Sequence, residues 1–381
     1  MIPYGRQSIS EEDIAAVVAV LRSDWLTQGP AIEQFEKRVA AYCGTKHAVA
    51  LCNGTAALHL SAMALGLQPG DWLWTSPITF VATANCALYC GTKVDFVDIN
   101  PKTYNMDVDL LSAKLERAAK EGKLPKIVAP VHLAGQSCEM EAIHKLAKKY
   151  NFAVMEDGSH AIGGSYQNKP VGDCRFSDLT TFSFHPVKII TTAEGGMVMT
   201  NRTDIYEKIC LLRTHGITRD AKQMTEPAHG PWYYQQIDLG YNYRITDLQA
   251  ALGLSQLTRM EKFVARRREL VKRYNELLKE LPVEIPWQHP DSNSSWHLYI
   301  VRVKQAHRKV FEALRAAGIG VNLHYIPVHT QPYYQQLGFK QGDFPVAEKY
   351  YSEAISLPMY YGLTDAQQDE VVAALKNALR A

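Results

Sequence analysis

Short apolar runs alternate with helical patterns from about residue 46 to residue 200, and this alternation constrains the fold more than any other feature. The helical patterns include TAALHLSAMALG and EMEAIHKLAKKYN, which lie between the apolar runs. Because strands separated by helices favour a mostly parallel sheet covered on both faces, we predict one large α/β domain with a seven-stranded sheet. The predicted strands are 47–52, 72–76, 93–99, 126–133, 152–156, 179–184 and 196–200.

The C-terminal part of the chain predicts a second, smaller unit. A long helical stretch covers 244–281, and Gly253 is expected to interrupt it. Apolar runs follow at 296–303 and 319–325, with a helical pattern between them and a final helix after residue 364, which predicts a small α/β domain. The predicted domains are 1–243, the large domain with its N-terminal segment, and 244–381, the connecting helix with the small C-terminal domain.

The composition is that of a globular protein without a strong charge bias. Of the 381 residues, 46% are apolar and 21% are charged, and the formal net charge is +2. These values predict a soluble protein that binds neither nucleic acid nor a membrane surface. No run of roughly 18 or more apolar residues is present, and the first residues lack a signal-peptide pattern. The seven scattered cysteines suit the reducing cytoplasm, with no metal site expected among them.

Residues capable of chemistry cluster at the predicted strand ends. Asp157 follows the run FAVME, and Gly54 and Thr55 follow HAVALC at the start of a helix. Ser183 and Lys188 come at the end of LTTFSF or shortly after it. Because an open α/β sheet binds ligands beyond the carboxyl ends of its strands, we expect these residues to meet at one edge of the sheet.

Each of these features has a structural and a chemical interpretation. The turn Asn53-Gly54-Thr55 is either an ordinary turn with a threonine cap or a helix start whose amides bind phosphate. Asp157 is either a cap or surface-turn residue, or a carboxylate that holds a positively charged partner. Lys188 lies in the apolar stretch TFSFHPVKIITTAEGGMVMT, so it either extends to solvent or has a lowered pKa and acts as a nucleophile.

The three chemical interpretations describe a single cofactor. Pyridoxal 5′-phosphate (PLP) needs an amine for its aldehyde, a carboxylate for its ring nitrogen and a cradle for its phosphate. Lys188, Asp157 and the turn at Gly54 supply all three at strand ends. The sequence therefore predicts a PLP enzyme.

The sequence also resembles a known family, the DegT-type sugar-nucleotide aminotransferases of PLP fold type I, whose fold is similar to that of aspartate aminotransferase. The resemblance covers most of the chain. It is carried by the motifs NGTAALHLSA, SPITFVATANC, EDGSHAIG, TFSFHPVKIITTAEGGM and LGYNYRITDLQAALGLSQL.

The resemblance implies cofactor roles for individual residues. Lys188 would hold PLP as an imine and then move the proton between the cofactor and the sugar, and Asp157 would pair with the ring nitrogen. His160 would lie near the ring hydroxyl, and Phe80 would stack on the ring. The implied phosphate ligands are Gly54, Thr55 and Ser183, together with Asn242 from the neighbouring subunit of a homodimer.

The resemblance further implies a reaction. A lysine at 188, where the dehydratase branch of the family has histidine, indicates transamination from an amino acid, expected to be L-glutamate, to a 4-keto sugar. The segments WLTQG, SSWHLY and LHYIPVH are most similar to the pseudaminic acid branch, which aminates C4 of UDP-2-acetamido-2,6-dideoxy-β-L-arabino-hexos-4-ulose. The implied UDP-sugar site consists of Tyr4, Asp24, Trp25, Leu26, Thr27, Leu323, His324, Tyr325 and Ile326.

Three alternatives stay open. The acceptor can be another nucleotide-linked 4-keto sugar, such as the UDP-4-keto pentose of lipid A modification or GDP-4-keto-6-deoxymannose. Trp25 and Tyr325 can be ordinary packing residues instead of stacking on uracil or sugar. The protein can also be a PLP-binding regulator that has kept the fold, although Lys188, Asp157 and Ser183 argue against it.

Overall fold

A seven-stranded sheet forms the centre of the protein in a computed structural model that describes residues 1–380. In chain order the strands are β1 His47–Leu51, β2 Trp72–Thr75, β3 Lys93–Phe96, β4 Ile127–Ala129, β5 Ala153–Asp157, β6 Ser165–Tyr166, β7 Lys169–Pro170, β8 Leu179–Ser183, β9 Gly196–Thr200, β10 Ile217–Thr218, β11 Gln235–Gln236, β12 Ser292–Asn293, β13 Tyr299–Arg302 and β14 Ala354–Leu357. The central sheet has the order β1-β9-β8-β5-β4-β2-β3. All seven predicted strands therefore lie in one sheet, as expected.

The sheet is mostly parallel, as predicted. Strand β9 runs antiparallel to its neighbours β1 and β8, and the other neighbouring strands are parallel. Two predicted strands are shorter than expected. Strand β4 ends at Ala129 because Pro130, which lacks an N–H, cannot continue the ladder as a donor. Strand β3 ends at Phe96.

Helices cover both faces of this sheet. They are α1 Glu11–Leu21, α2 Pro30–Cys43, α3 Gly54–Ala64, α4 Val81–Tyr89, α5 Val108–Glu121, α6 Met140–Tyr150, α7 Thr203–Leu212, α8 Asp247–Leu257, α9 Met260–Leu278, α10 His307–Ala316, α11 Pro332–Gln335, α12 Pro345–Glu353 and α13 Asp365–Arg380. One apolar core lies between the sheet and α3, α4 and α7, and another between the sheet and α2, α8 and the start of α9. No helix within residues 1–380 is long and apolar enough to span a bilayer.

The prediction that Gly253 interrupts the helical stretch 244–281 is wrong. Gly253 lies inside α8, and the break comes at Thr258 and Arg259, between α8 and α9. A Cβ atom at position 253 would lie 2.6 Å from the Cζ atom of Phe35 in α2. The glycine therefore allows α2 and α8 to pack closely, and it does so without breaking its helix.

The C-terminal part contains a two-stranded antiparallel pair, β13 and β14, with α10 and the final helix α13 packed nearby. The sequence predicts β13 and α13 but not β14. The run 319–325 forms only isolated bridges, one from Ile319 to Ile2 and one from Asn322 to Ser356. Residues near the N-terminus thus pair with the C-terminal part of the chain. The division at 243/244 stays a prediction.

Candidate active site

A cavity of about 600 Å³ lies where the carboxyl ends of β1, β5 and β8 meet. Asp157 is the last residue of β5 and Ser183 the last of β8, while Asn53 follows β1 and caps α3. The strands thus bring together residues that are far apart in sequence, as the sheet-edge prediction expects. The predicted residues that line this cavity are Tyr4, Gly54, Thr55, Phe80, Asp157, His160, Ser183, Lys188, Leu323, His324 and Tyr325.

The Lys188 side chain faces this cavity from the loop after β8. Burial lowers the pKa of Lys188 from 10.5 to about 8, and the nearby Asp157 charge opposes the shift only in part. The side chain still has an accessible part because it borders the cavity. At pH 7 about a tenth of such an amine is neutral, against less than about a thousandth of an ordinary lysine. Lys188 is thus suited to attack an aldehyde.

Asp157 is the carboxylate whose charge acts on the pKa of Lys188. Only 5% of Asp157 is exposed. Its Oδ2 atom accepts a hydrogen bond from the Thr83 hydroxyl at 2.6 Å. Its Oδ1 atom accepts one from the Ser159 amide at 3.0 Å. Since a carboxylate has about four acceptor positions, Asp157 keeps capacity for a protonated ring nitrogen.

The N-terminus of α3 forms the third element of the site. Asn53 caps it by accepting a hydrogen bond from the Ala56 amide, so Asn53, and not the threonine, is the cap. A Cβ atom at Gly54 would lie 2.9 Å from the Cβ atom of Ser183. Only glycine therefore brings this helix start close to the Ser183 hydroxyl. The first amides of a helix lack intrahelical partners, which suits a phosphate.

The TTAEGG segment packs against the same helix start. A Cβ atom at Gly196 would lie 2.3 Å from the Asn53 carbonyl oxygen, so a side chain there would push β9 away from the capped turn. The carbonyl of Glu194 accepts hydrogen bonds from the Thr192 hydroxyl at 2.7 Å and from Gln249 at 2.8 Å. These contacts give the segment a structural role in shaping the cavity, which Glu194 also lines.

His160 lies on the opposite wall and contacts Tyr325. The Ala134 amide donates to His160 Nδ1 at 3.3 Å, and His160 Nε2 lies 3.0 Å from the Tyr325 hydroxyl. Burial, aided by the charge of Lys188, holds the pKa of His160 well below its usual value. The ring is therefore neutral, with its proton on Nε2 and directed at Tyr325.

Four residues to which the sequence gives no role line this site or support it. His297 and Asn322 line the cavity, and the His297 ring lies 4.4 Å from that of His160. Arg267 holds the carbonyl of His297 at 3.2 Å. Thr83 contacts Asp157. In the sequence, the available signals for these residues were the motif SSWHLY and the four-residue spacing of Thr79 and Thr83. Neither signal shows which strand end the residues face.

The structure places the other predicted residues outside this cavity. Asp24, Trp25, Leu26 and Thr27 are exposed, and Thr27 bridges Thr246. Ile326 and Asn242 also lie outside the cavity, and both are exposed. Ile326 is next to Tyr325 in sequence, and Asn242 forms an isolated β-bridge with Thr214.

Comparison with known proteins gives a family and two relatives. The model of the DegT/DnrJ/EryC1/StrS aminotransferase family matches residues 7–376. The spore coat polysaccharide biosynthesis protein SpsC of Bacillus subtilis is 40% identical, with 100% of this chain and 97% of SpsC covered. A Campylobacter jejuni UDP-4-amino-4,6-dideoxy-N-acetyl-β-L-altrosamine transaminase is 37% identical, with 94% of this chain and 93% of the relative covered.

Two solved structures have the same fold. Helicobacter pylori PseC, an aminotransferase in pseudaminic acid biosynthesis, superimposes with a TM-score of 0.90 at 33% identity, covering 100% of this chain and 99% of PseC. Spr1654 of Streptococcus pneumoniae in its PMP form, carrying the aminated cofactor, gives a TM-score of 0.91 at 32% identity, covering 100% of this chain and 99% of Spr1654.

The fold and the site define a PLP-dependent transferase. The cofactor requires an amine, a carboxylate and a phosphate site, and one cavity offers all three. They are Lys188 with its lowered pKa, Asp157 and the N-terminus of α3 at Gly54. The chain belongs to the DegT/DnrJ/EryC1/StrS aminotransferase family, and it is a sugar aminotransferase.

Proposed function

We propose that this aminotransferase moves an amino group from L-glutamate to C4 of UDP-2-acetamido-2,6-dideoxy-β-L-arabino-hexos-4-ulose, in pseudaminic acid biosynthesis. The observation that carries the chemistry is the meeting of Lys188, Asp157 and the Gly54 turn on one cavity. The acceptor rests on similarity to the C. jejuni transaminase and to PseC. SpsC, which is 40% identical, carries a name that specifies no sugar, so the acceptor is the part most in need of a test.

In this proposal each cavity residue has one task. The Nζ atom of Lys188 would hold the cofactor through its aldehyde carbon, with loss of water, and would afterwards carry a proton between cofactor and sugar C4. Asp157 would pair with the ring nitrogen. The cofactor, when bound, supplies the electron sink for the amino transfer. The amides of Gly54 and Thr55 and the Ser183 hydroxyl would hold the phosphate, and Phe80, which also lines the cavity, would stack on the ring.

The remaining polar wall suits the sugar and the cofactor oxygen. His160 directs its Nε2 proton to Tyr325, so the hydroxyl hydrogen of Tyr325 is available to the cavity. Tyr4 and His324 are in ring contact at 5.3 Å, next to Asn322. These groups offer hydrogen bonds for sugar oxygens. Leu323 and Ile326 complete the proposed sugar site on the same segment.

We further propose a homodimer whose subunits share their active sites. Asn242 and the segment 24–27 lie outside the cavity of their own chain, which is where residues that serve a partner's site are expected. Large apolar side chains are exposed on the same parts of the chain: Trp25 is 55% exposed, Trp232 72% and Leu239 71%. Exposed apolar residues of this size are typical of surfaces that bind a second protein.

A cytoplasmic location is also proposed, on the basis of cysteine chemistry. All seven cysteines carry free thiols, and burial raises the pKa of Cys43 to about 12. Thiols that are buried and protonated serve as small core residues in a reducing compartment.

The decisive experiment is an acceptor panel with a mass measurement of the product. The protein, loaded with PLP and supplied with L-glutamate, is incubated with the UDP-keto hexosamine, with the UDP-4-keto pentose of lipid A modification and with GDP-4-keto-6-deoxymannose. We expect the highest kcat/KM with the UDP-keto hexosamine. A higher value with either alternative would replace the proposed acceptor. Binding of PLP without any half-reaction with glutamate would instead favour the regulator.

A further inference from the structure

Two buried hydroxyl groups lead from the end of β2 into Asp157. Thr79 precedes α4, and Thr83, four positions further along the chain, lies in its first turn. Their Oγ1 atoms are 2.8 Å apart, and Thr83 Oγ1 lies 2.6 Å from Asp157 Oδ2. Thr79 is 2% exposed and Thr83 0%, so bulk water does not reach either hydroxyl. We call Thr79 and Thr83 the hydroxyl relay.

The direction of both hydrogen bonds follows from donor counting. An ionised carboxylate only accepts, so the single hydroxyl hydrogen of Thr83 points to Asp157. Thr83 can then only accept from Thr79, which becomes the donor of the 2.8 Å bond. The Phe80 carbonyl, at 3.4 Å, is a poorer acceptor for Thr83 than the carboxylate at 2.6 Å. Each donor thus polarises the next toward the charge.

A donor chain of this kind has two effects on the carboxylate. It gives the carboxylate a charge-assisted hydrogen bond, and it restricts rotation of the carboxylate. Thr83 is itself held, because a β-branched side chain in a helix has few χ1 rotamers. The Ser159 amide holds the other oxygen, so both carboxylate oxygens have fixed orientations.

We propose that Thr83, supported by Thr79, is a positioning residue that holds the Asp157 carboxylate in the orientation that the cofactor's ring nitrogen requires. The inference rests on the proposed role of Asp157. It gives a task to Thr83, which borders the cavity and acts through its hydrogen bond to Asp157. Without the relay, Asp157 would bind the protonated ring nitrogen less firmly.

The test compares Thr83→Val with Thr83→Ser, which keeps the hydroxyl. Thr75→Val is the matched control, since Thr75 is also 0% exposed and donates from its hydroxyl to the Ala129 carbonyl at 2.8 Å, away from Asp157. We expect the Kd for PLP to rise about tenfold in Thr83→Val, which corresponds to about 1.4 kcal/mol. Thr83→Ser and Thr75→Val should stay within about twofold of the unmodified protein.

The visible absorption of bound PLP gives a second readout. A ring nitrogen that is less firmly protonated withdraws less electron density from Lys188 Nζ. The pH midpoint of the visible absorption band of bound PLP should therefore rise in Thr83→Val, but not in Thr83→Ser or Thr75→Val. If Thr83→Val does not fold, Thr79→Val tests the relay one bond further away, with a smaller shift in the same direction.

The possible outcomes separate the two proposals. The relay would be overturned if Thr83→Val and Thr79→Val had the same PLP affinity and the same pH midpoint as the control Thr75→Val. An unmodified protein that shows no visible PLP band would instead overturn the proposed cofactor roles of Lys188 and Asp157.

Discussion

His160 Nε2 and the Tyr325 hydroxyl lie 3.0 Å apart although 165 positions separate the two residues. The backbone amide of Ala134 occupies the other ring nitrogen of His160, so the imidazole donates to the tyrosine. The hydroxyl hydrogen of Tyr325, which lines the cavity, is therefore free to donate to another group.

The Tyr325 hydroxyl is expected to contribute to turnover. Tyr325→Phe keeps the ring and removes the group that His160 orients, so we expect kcat to fall about tenfold, as the loss of one hydrogen bond to the bound sugar would give. Tyr334→Phe is the control, because the Tyr334 hydroxyl also makes a side-chain hydrogen bond, to Asn85 at 2.6 Å. Steady-state kinetics of both variants check this, and equal kcat values would contradict it.

The low pKa of Lys188 can be measured without cofactor. Formaldehyde and cyanoborohydride methylate neutral amines, so the Lys188 methylation rate in the PLP-free protein should rise with pH and reach half its maximum near pH 8. Peptide mass spectrometry reports each lysine separately, and exposed Lys145 is the internal control. A Lys188 midpoint near that of an ordinary lysine would refute the pKa shift.

The same shift makes stability depend on pH. The folded state releases the Lys188 proton at about pH 8 and the unfolded chain at about 10.5, so between these values the unfolded state binds more protons. The contribution of Lys188 to the free energy of unfolding therefore rises with pH across this window. Denaturant titrations of the PLP-free protein at several pH values check this against Lys188→Met, which should lack that part of the rise.

Removal of the Asp157 charge should lower kcat strongly and leave the fold intact. Asp157→Asn keeps the size of the side chain, but the ring nitrogen loses its charged partner, so we expect kcat to fall by roughly a hundredfold or more. Thermal melting of the PLP-free variant monitors the fold. Near-normal turnover would show that Asp157 does not serve the ring nitrogen.

A charge in the proposed dimer surface should separate the subunits. Leu239 is 71% exposed, and Leu239→Asp would bury a carboxylate between two copies. We expect a monomer with weakened PLP binding in sedimentation and titration experiments. Leu337, which is 48% exposed, provides the control Leu337→Asp, which should stay dimeric. A dimeric Leu239→Asp protein would place the interface elsewhere.

Much of the fold is readable from local patterns. All seven central strands appear as apolar runs because a strand buried on both faces has few polar residues. Gly253 misled the prediction because a glycine in a helical pattern looks the same whether it breaks the helix or admits a neighbouring side chain. Strand β14 was missed because its sequence, AISL, is too short to show a period.

The strand–helix alternation and the three groups that define the cofactor can be recognised in the sequence, because each is a local pattern: an apolar run, a glycine turn, a lone lysine, an acid after a strand. It is the folded chain that brings Thr83 to Asp157, lets His160 orient Tyr325 and leaves residues 24–27 outside their own chain's cavity. Those relationships depend on how distant strand ends and helices pack, and packing joins residues that no local pattern connects.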